Sequence, residues 1–243
     1  MTILILGGTS EARALAEELT RLGRDPLTSL AGRVGNPALP AGWVRIGGFG
    51  GVDGLAAFLR TKGISAVVDA THPFAARIGA NAAAAAERTG TPLLRLERPG
   101  WNDHPRAGTW TWAADADAAR DAALPYDRPF LTTGRQSLET FLGWADRQVL
   151  VRVVDPPEVP LPERWTVIAA RGPYAYADER RLMIDFGVDV LLTKDSGGSY
   201  TAAKLDAAGD LGIPVVVVAR PARPAGLPTV TTVAEALDWS GLT

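Results

Sequence analysis

A glycine turn sits almost at the start of the chain, where the apolar run Ile3 to Leu6 leads into Gly7-Gly8-Thr9-Ser10-Glu11-Ala12-Arg13. Glycines let the backbone come close to a ligand, and a Thr or Ser cap opens a helix whose free N–H groups and dipole attract an anion. A strand, a glycine turn and a helix mouth in that order form the pyrophosphate corner of a dinucleotide-binding fold. The usual G-x-G-x-x-G pattern would put glycines where Thr9 and Ala12 stand. Alanine suits close helix-to-strand packing, and the Thr9 hydroxyl is expected to offer phosphate a hydrogen bond in place of glycine's open access. The alternative at this point is an ordinary strand-to-helix turn that binds nothing.

An NAD-preferring site carries an acid roughly 20 residues past its glycines, on the ribose 2′-hydroxyl. Here the stretch holds Ser29, Gly32 and Arg33 and no acid. A hydroxyl with a guanidinium suits a 2′-phosphate, which points to NADPH. Thr71-His72-Pro73 follows another apolar run; His72 is either a cap or packing residue, or a group that orients cofactor or substrate beside a nicotinamide. Three later loops, Gly134-Arg135, Arg171-Gly172 and Lys194-Asp195-Ser196-Gly197-Gly198, offer cations, free backbone N–H groups or both, as anion sites do. In a chain of formal net charge -2, such loops predict a ligand with several carboxylates or phosphates. Tyr200 and Lys204 have the Tyr-x-x-x-Lys spacing of short-chain dehydrogenases, but that family's glycine turn and upstream serine are missing. They are kept as contacts for an anionic ligand, and His72, Asp195 and Tyr200 are the candidate proton donors.

With no cysteine, disulfides, thiolate catalysis, Cys-bound zinc and iron–sulfur clusters are excluded. His72 and His104 are the only histidines, so no metal centre is expected. The charge balance lacks the basic excess of a nucleic-acid binder. No apolar run reaches the roughly 18 residues of a membrane span, and no basic leader opens the chain. The expectation is a cytoplasmic protein without nucleic-acid or membrane partners, taken as a monomer, whose redox chemistry comes from an organic cofactor.

The elements that would position these residues alternate. Strands are predicted at Ile3 to Leu6, Pro26 to Leu30, Trp43 to Ile46, Ser65 to Asp69 and Pro92 to Leu96, with helices between, which implies a doubly wound parallel sheet. Pro73 is expected in the first turn of an Ala-rich helix ending at Thr89, with Thr71 or His72 as its cap. The kinked, aperiodic Arg98 to Pro105 suggests a boundary. A second series starts at Pro129, where Thr133 and Gln136 are read as a capping box for a helix reaching Ala145. The expected fold is α/β: two Rossmann-like domains with parallel sheets facing across a cleft, residues 1–100 binding NADP and 101–243 contributing to the substrate cleft. Ligands lie beyond the carboxyl ends of such strands, where all the loops above fall. Whether the last strand and helix join their own sheet or the other stays open.

Five ordered stretches carry a resemblance: LILGGTSEAR (Leu4–Arg13), DATHPFA (Asp69–Ala75), RLERPGW (Arg95–Trp101), TTGR (Thr132–Arg135), and LLTKDSGG (Leu191–Gly198) with LGIPVVVVARP (Leu211–Pro221). Together they resemble the precorrin-6A reductase family of cobalamin biosynthesis over nearly the whole chain. The resemblance implies NADPH-dependent reduction of one macrocycle double bond of precorrin-6A, a tetrapyrrole edged with acetate and propionate groups. By it, Gly7–Arg13 would hold the pyrophosphate, while Thr71–Ala75 and Lys194–Gly198 would flank nicotinamide and macrocycle. The alternatives are another polyanionic substrate, the cobalt-containing substrate of the anaerobic route, or a non-catalytic NADP(H)-binding regulator.

Overall fold

The computed structural model describes residues 2–32, 38–157, 159–239 and 242. It divides into two compact units, Met1–Pro99 with Pro221–Thr243, and Gly100–Arg220. The first unit opens with β1 (Thr2–Leu6), α1 (Ser10–Arg21), β2 (Leu27–Leu30), β3 (Trp43–Ile46), α2 (Gly51–Thr61), β4 (Ile64–Asp69), α3 (Ala76–Thr89) and β5 (Leu93–Leu96). The second unit contains β6 (Thr111–Ala113), α4 (Ala116–Ala122), β7 (Pro129–Thr132), a 3-10 run over Arg135–Trp144, β8 (Val149–Val153), β9 (Trp165–Ala169), α5 (Tyr176–Phe186), β10 (Val190–Lys194), α6 (Ala203–Asp210) and β11 (Val215–Val218). The chain then returns to the first unit with β12 (Thr229–Val230) and α7 (Val233–Asp238).

Each unit is built on a six-stranded parallel sheet, in the orders β12-β5-β4-β1-β2-β3 and β6-β11-β10-β7-β8-β9. Successive strand residues point to opposite faces, so the apolar β1 feeds two cores. Ile3 and Ile5 pack with Leu15 and Leu19 of α1 and Ala236 of α7. Leu4 and Leu6 pack with Leu55 and Leu59 of α2 and Ala85 of α3. In the second unit Phe130, Leu150, Leu191 and Val217 pack with Met183 and Leu205. The expected α/β fold of parallel, Rossmann-like sheets is the fold observed.

The expected span of the second domain, 101–243, is corrected at its carboxyl end. Backbone N–H groups of Arg95 and Glu97 donate to the carbonyls of Pro228 and Val230 (2.8 and 3.0 Å), which adds β12 to the first sheet. Ala236 and Leu242 close the first unit's core beside α1. Thus β12, which follows β11, pairs with β5, and β6, which follows β5, pairs with β11. An apolar strand does not encode which sheet edge it joins, so periodicity left this open. Two helix starts also differ. The helix expected to open at Pro73 begins at Ala76, after a turn in which Ala75 N–H donates to the His72 carbonyl. The segment after β7 is 3-10 rather than α, and Gly134 offers it no side-chain cap, so the Thr133–Gln136 capping box is absent.

Candidate functional site

In both sheets the strand order reverses between neighbours, at β4/β1 and at β10/β7, and ligands bind such sheets outside the carboxyl ends at this crevice. In the first unit that places Gly7-Gly8 after β1 next to Thr71-His72 after β4. A Cβ on Gly7 would lie 2.7 Å from the Thr28 methyl on β2, so the residue allows the turn to sit tightly on its neighbour. Gly8 has φ +118 and nothing within 4 Å of a Cβ position, a backbone open to an approaching group. Thr9 caps α1, its Oγ1 accepting from Ala12 N–H at 3.1 Å.

The expectation that the Thr9 hydroxyl meets phosphate is corrected, because its one proton goes to the Ala70 carbonyl at 2.7 Å. Thr9 therefore ties the glycine turn to the end of β4. What remains for an anion are the amides of Ser10 and Glu11, in the first turn of α1 where no intrahelical acceptor exists. The Glu11 carboxylate pairs with Arg98 (2.6 Å), which limits its repulsion of a phosphate. Arg13, half-buried on the same helix, has no ion pair among the described residues.

Thr71 is fixed by buried charges. Its N–H and hydroxyl donate to Asp69 Oδ1 (3.1 and 2.7 Å), and Arg95 donates to Thr71 Oγ1 and to its carbonyl (both 3.0 Å). Arg95 also pairs with Asp69 (2.8 Å) and Glu97 (2.7 Å), and Arg223 with Glu97 (3.0 Å). His72 Nδ1 accepts the Phe74 N–H (3.2 Å), so the neutral ring carries its proton on Nε2. Ser29 was expected to read the 2′-phosphate together with Arg33. Arg33 lies outside the described residues, and the Ser29 hydroxyl accepts from Arg45 (2.8 Å), its register partner on β3. Gly32 follows β2, with a Cβ position 3.0 Å from the Ile46 side chain.

In the second unit, Lys194 ends β10, and burial lowers its ammonium pKa from the ordinary lysine value. Arg135 and Arg171 follow β7 and β9, and the half-buried Ser196 and Gly198 flank the buried Gly197. Asp195 is corrected as a proton donor. It is 3% exposed, its Oδ1 accepts Trp101 N–H (3.0 Å) and its Oδ2 pairs with Arg220 (3.1 Å). A Cβ on Gly100 would lie 2.7 Å from that carboxylate, so the approach needs glycine. Asp195 thus anchors the loop, and Trp101 Nε1 adds a bond to the Gly198 carbonyl (2.8 Å).

Lys204 is likewise corrected as a ligand contact. It is 4% exposed, donates to the Thr201 carbonyl and stands 4.7 Å from the Trp101 ring centroid. Burial, with Arg152 adding to it and Glu179 opposing, brings its pKa down to about 7. Tyr200 precedes α6 and is 44% exposed, so the pair does not share one helical face. Arg45, Arg95, Glu97, Arg98 and Arg220 were not singled out from sequence. Charged residues inside the apolar strands WVRI and LLRL were the available signal for the first two.

Two doubly wound parallel sheets with polar and cationic loops at their strand ends define the class, a two-unit α/β protein of Rossmann-like type. The chain matches the family described as Precorrin-6x reductase CbiJ/CobK over residues 2–241. It is 53% identical over 242 residues to the precorrin-6A reductase of Rhodococcus erythropolis, covering 98% of this chain and 97% of that one. Identity to the precorrin-6A reductase of Mycobacterium tuberculosis is 50%, covering 98% and 96%. A solved structure described as CobK precorrin-6A reductase superposes with TM-score 0.91 at 42% identity, covering 98% and 95%. The chain belongs to the precorrin-6x reductase family. It is an oxidoreductase of cobalamin biosynthesis that acts on a CH–CH bond with a nicotinamide cofactor.

Proposed function

We propose that this reductase uses NADPH to convert precorrin-6A to precorrin-6B. The observation that carries the reading is identity of 50% and 53%, over almost the full chain, to relatives that both bear the name precorrin-6A reductase. The reading is supported by the open turn at Gly8 and by the Ser10 and Glu11 amides in the first turn of α1, and these, with Arg13, are assigned to the pyrophosphate. When bound, the nicotinamide supplies the hydride, and the protein supplies orientation and charge. Thr71 and Pro73 are assigned to the same strand-end crevice, and His72 is the side chain assigned to hold the proton, since Asp195 is engaged with Arg220. In the second unit Arg135, Arg171, Lys194 and the Ser196–Gly198 loop are assigned to the carboxylates of the tetrapyrrole. No helix among the described residues is long and apolar enough to cross a membrane, and the enzyme is assigned to the cytoplasm.

The test is to incubate the protein with NADPH and metal-free precorrin-6A and follow nicotinamide absorbance. Loss of absorbance in step with substrate consumption is expected. Turnover of the cobalt-loaded substrate alone would move the enzyme to the anaerobic route, and NADPH binding without oxidation of either would indicate a regulator.

A further inference from the structure

Arg45 has a setting that the arrangement of β3 alone does not require. It is the direct partner of Ser29 in the β2–β3 register, and Ser29 in turn pairs with Leu6 at the end of β1. The glycine turn, Ser29 and Arg45 therefore stand on adjacent strand ends, where a dinucleotide fold reads the adenine ribose. Nη1 of Arg45 donates to Ser29 Oγ (2.8 Å) and to the Gly47 carbonyl (2.9 Å), and Nη2 donates to the Gly48 carbonyl (3.0 Å). The guanidinium lies 4.0 Å from the centroid of the Phe49 ring and 5.2 Å from that of Phe58.

All these partners are neutral, and no carboxylate pairs with Arg45 among the described residues. A guanidinium has five N–H donors, and the Nε–H and one Nη2–H have no partner among those residues. Arg45 is half-buried, and burial lowers its pKa, so its charge is only partly compensated by water. A rigid fork with two donors left, stacked on an aromatic face and lacking a counter-charge, matches a phosphate oxyanion.

We propose that Arg45 selects NADP(H) over NAD(H) by contacting the 2′-phosphate of the adenine ribose. Ser29, only 6% exposed, is the positioning residue that holds the guanidinium in place. The aromatic face of Phe49 restricts the guanidinium to the plane in which its remaining donors lie. The inference rests on the reading that NADPH is the cofactor.

Dissociation constants of NADPH, NADH, adenosine 2′,5′-bisphosphate and AMP, measured on the full chain and on Arg45→Gln and Arg45→Lys, test it. Charge-assisted hydrogen bonds contribute about 1.5–3 kcal/mol, so Arg45→Gln should weaken the two 2′-phosphorylated ligands by about 10- to 100-fold. NADH and AMP should change by less than about twofold, and their retained binding reports an intact sheet edge. Arg45→Lys should recover part of the loss, because it keeps the charge but not the fork. Equal weakening of NADPH and NADH in both variants would overturn the proposal, leaving Arg45 a purely structural residue. A wild type that prefers NADPH, with that preference intact in Arg45→Gln, would also overturn it while sparing the reading that NADPH is the cofactor. A wild type without preference would remove both.

Discussion

The turn after β1 and the turn after β7 occupy equivalent places in their sheets, each beside the strand where the order reverses, but they end differently. After β1, Thr9 caps a 12-residue α-helix, in whose first turn the Ser10 and Glu11 amides have no intrahelical acceptor. After β7, Gly134 supplies no cap, the chain continues as 3-10 helix, and the Ser137 hydroxyl bonds back to Thr133 Oγ1 (2.9 Å) and the Gly134 carbonyl (3.0 Å). An α-helix mouth concentrates unsatisfied N–H groups and a dipole on an anion. A 3-10 run with poorer hydrogen-bond alignment does this less well. Topology thus marks two equivalent places, and local hydrogen bonding is what leads us to propose the first of them for the dinucleotide. At the other, Arg135 offers a side-chain charge that suits a carboxylate.

Buried charge separates the units in the same way. Arg95 in the first unit holds two carboxylates, Asp69 and Glu97, directly under the Thr71 turn. Arg152 in the second holds one, Glu179, with its two terminal guanidinium nitrogens, and its guanidinium lies 3.7 Å from the Tyr174 ring centroid. Removing one partner of such a pair leaves an uncompensated buried charge, at about 3–5 kcal/mol. Arg95→Met should therefore destabilise the protein more than Arg152→Met, with losses of about 5 and about 3 kcal/mol in urea unfolding. Equal losses would erase this distinction.

A smaller effect is expected from Lys204, whose only counterpart in the first unit would be a buried lysine, and none is found among the described residues. Its pKa in the folded protein, about 7, lies below the ordinary lysine value of 10.5. Between those values the unfolded chain binds the extra proton, so Lys204 destabilises the fold at neutral pH and the penalty fades as pH rises toward the unfolded value. Below about 7 both states are protonated and the penalty is constant. Unfolding free energies of the wild type and Lys204→Met, compared across this window, should show the wild type gaining relative stability with rising pH. Parallel curves would mean that Lys204 is solvated in the folded state.

Much of this was legible from sequence because parallel, doubly covered strands are apolar throughout and sharply punctuated. Trp43–Ile46 was read with its observed limits, and the helix ending at Thr89 stops at the left-handed Gly90. The strand Thr111–Ala113 was missed, as three residues carry too little pattern to register. The return of β12 to the first sheet depends on backbone pairing with β5, which composition does not encode. Within the site, residue types were more legible than roles. Thr9, Asp195 and Lys204 look like ligand contacts when only their chemistry is known. The partners of Thr9 and Asp195, the Ala70 carbonyl and Arg220, are distant in sequence, and for Lys204 it is its own burial, with a local bond to the Thr201 carbonyl, that the pattern does not reveal.

The central claim is that the first unit's glycine turn holds the dinucleotide and its counterpart in the second does not. Titration of NADPH into Gly8→Ala and Gly134→Ala tests this most directly. Both glycines have positive φ, +118 and +84, and neither has an atom within 4 Å of its Cβ position, so the two methyl groups meet comparable local conditions. Gly8→Ala should weaken NADPH by about tenfold or more, because the methyl projects where the pyrophosphate approaches the backbone. Gly134→Ala should leave the dissociation constant within about twofold of wild type. Unchanged binding by Gly8→Ala, or the larger loss in Gly134→Ala, would contradict the account.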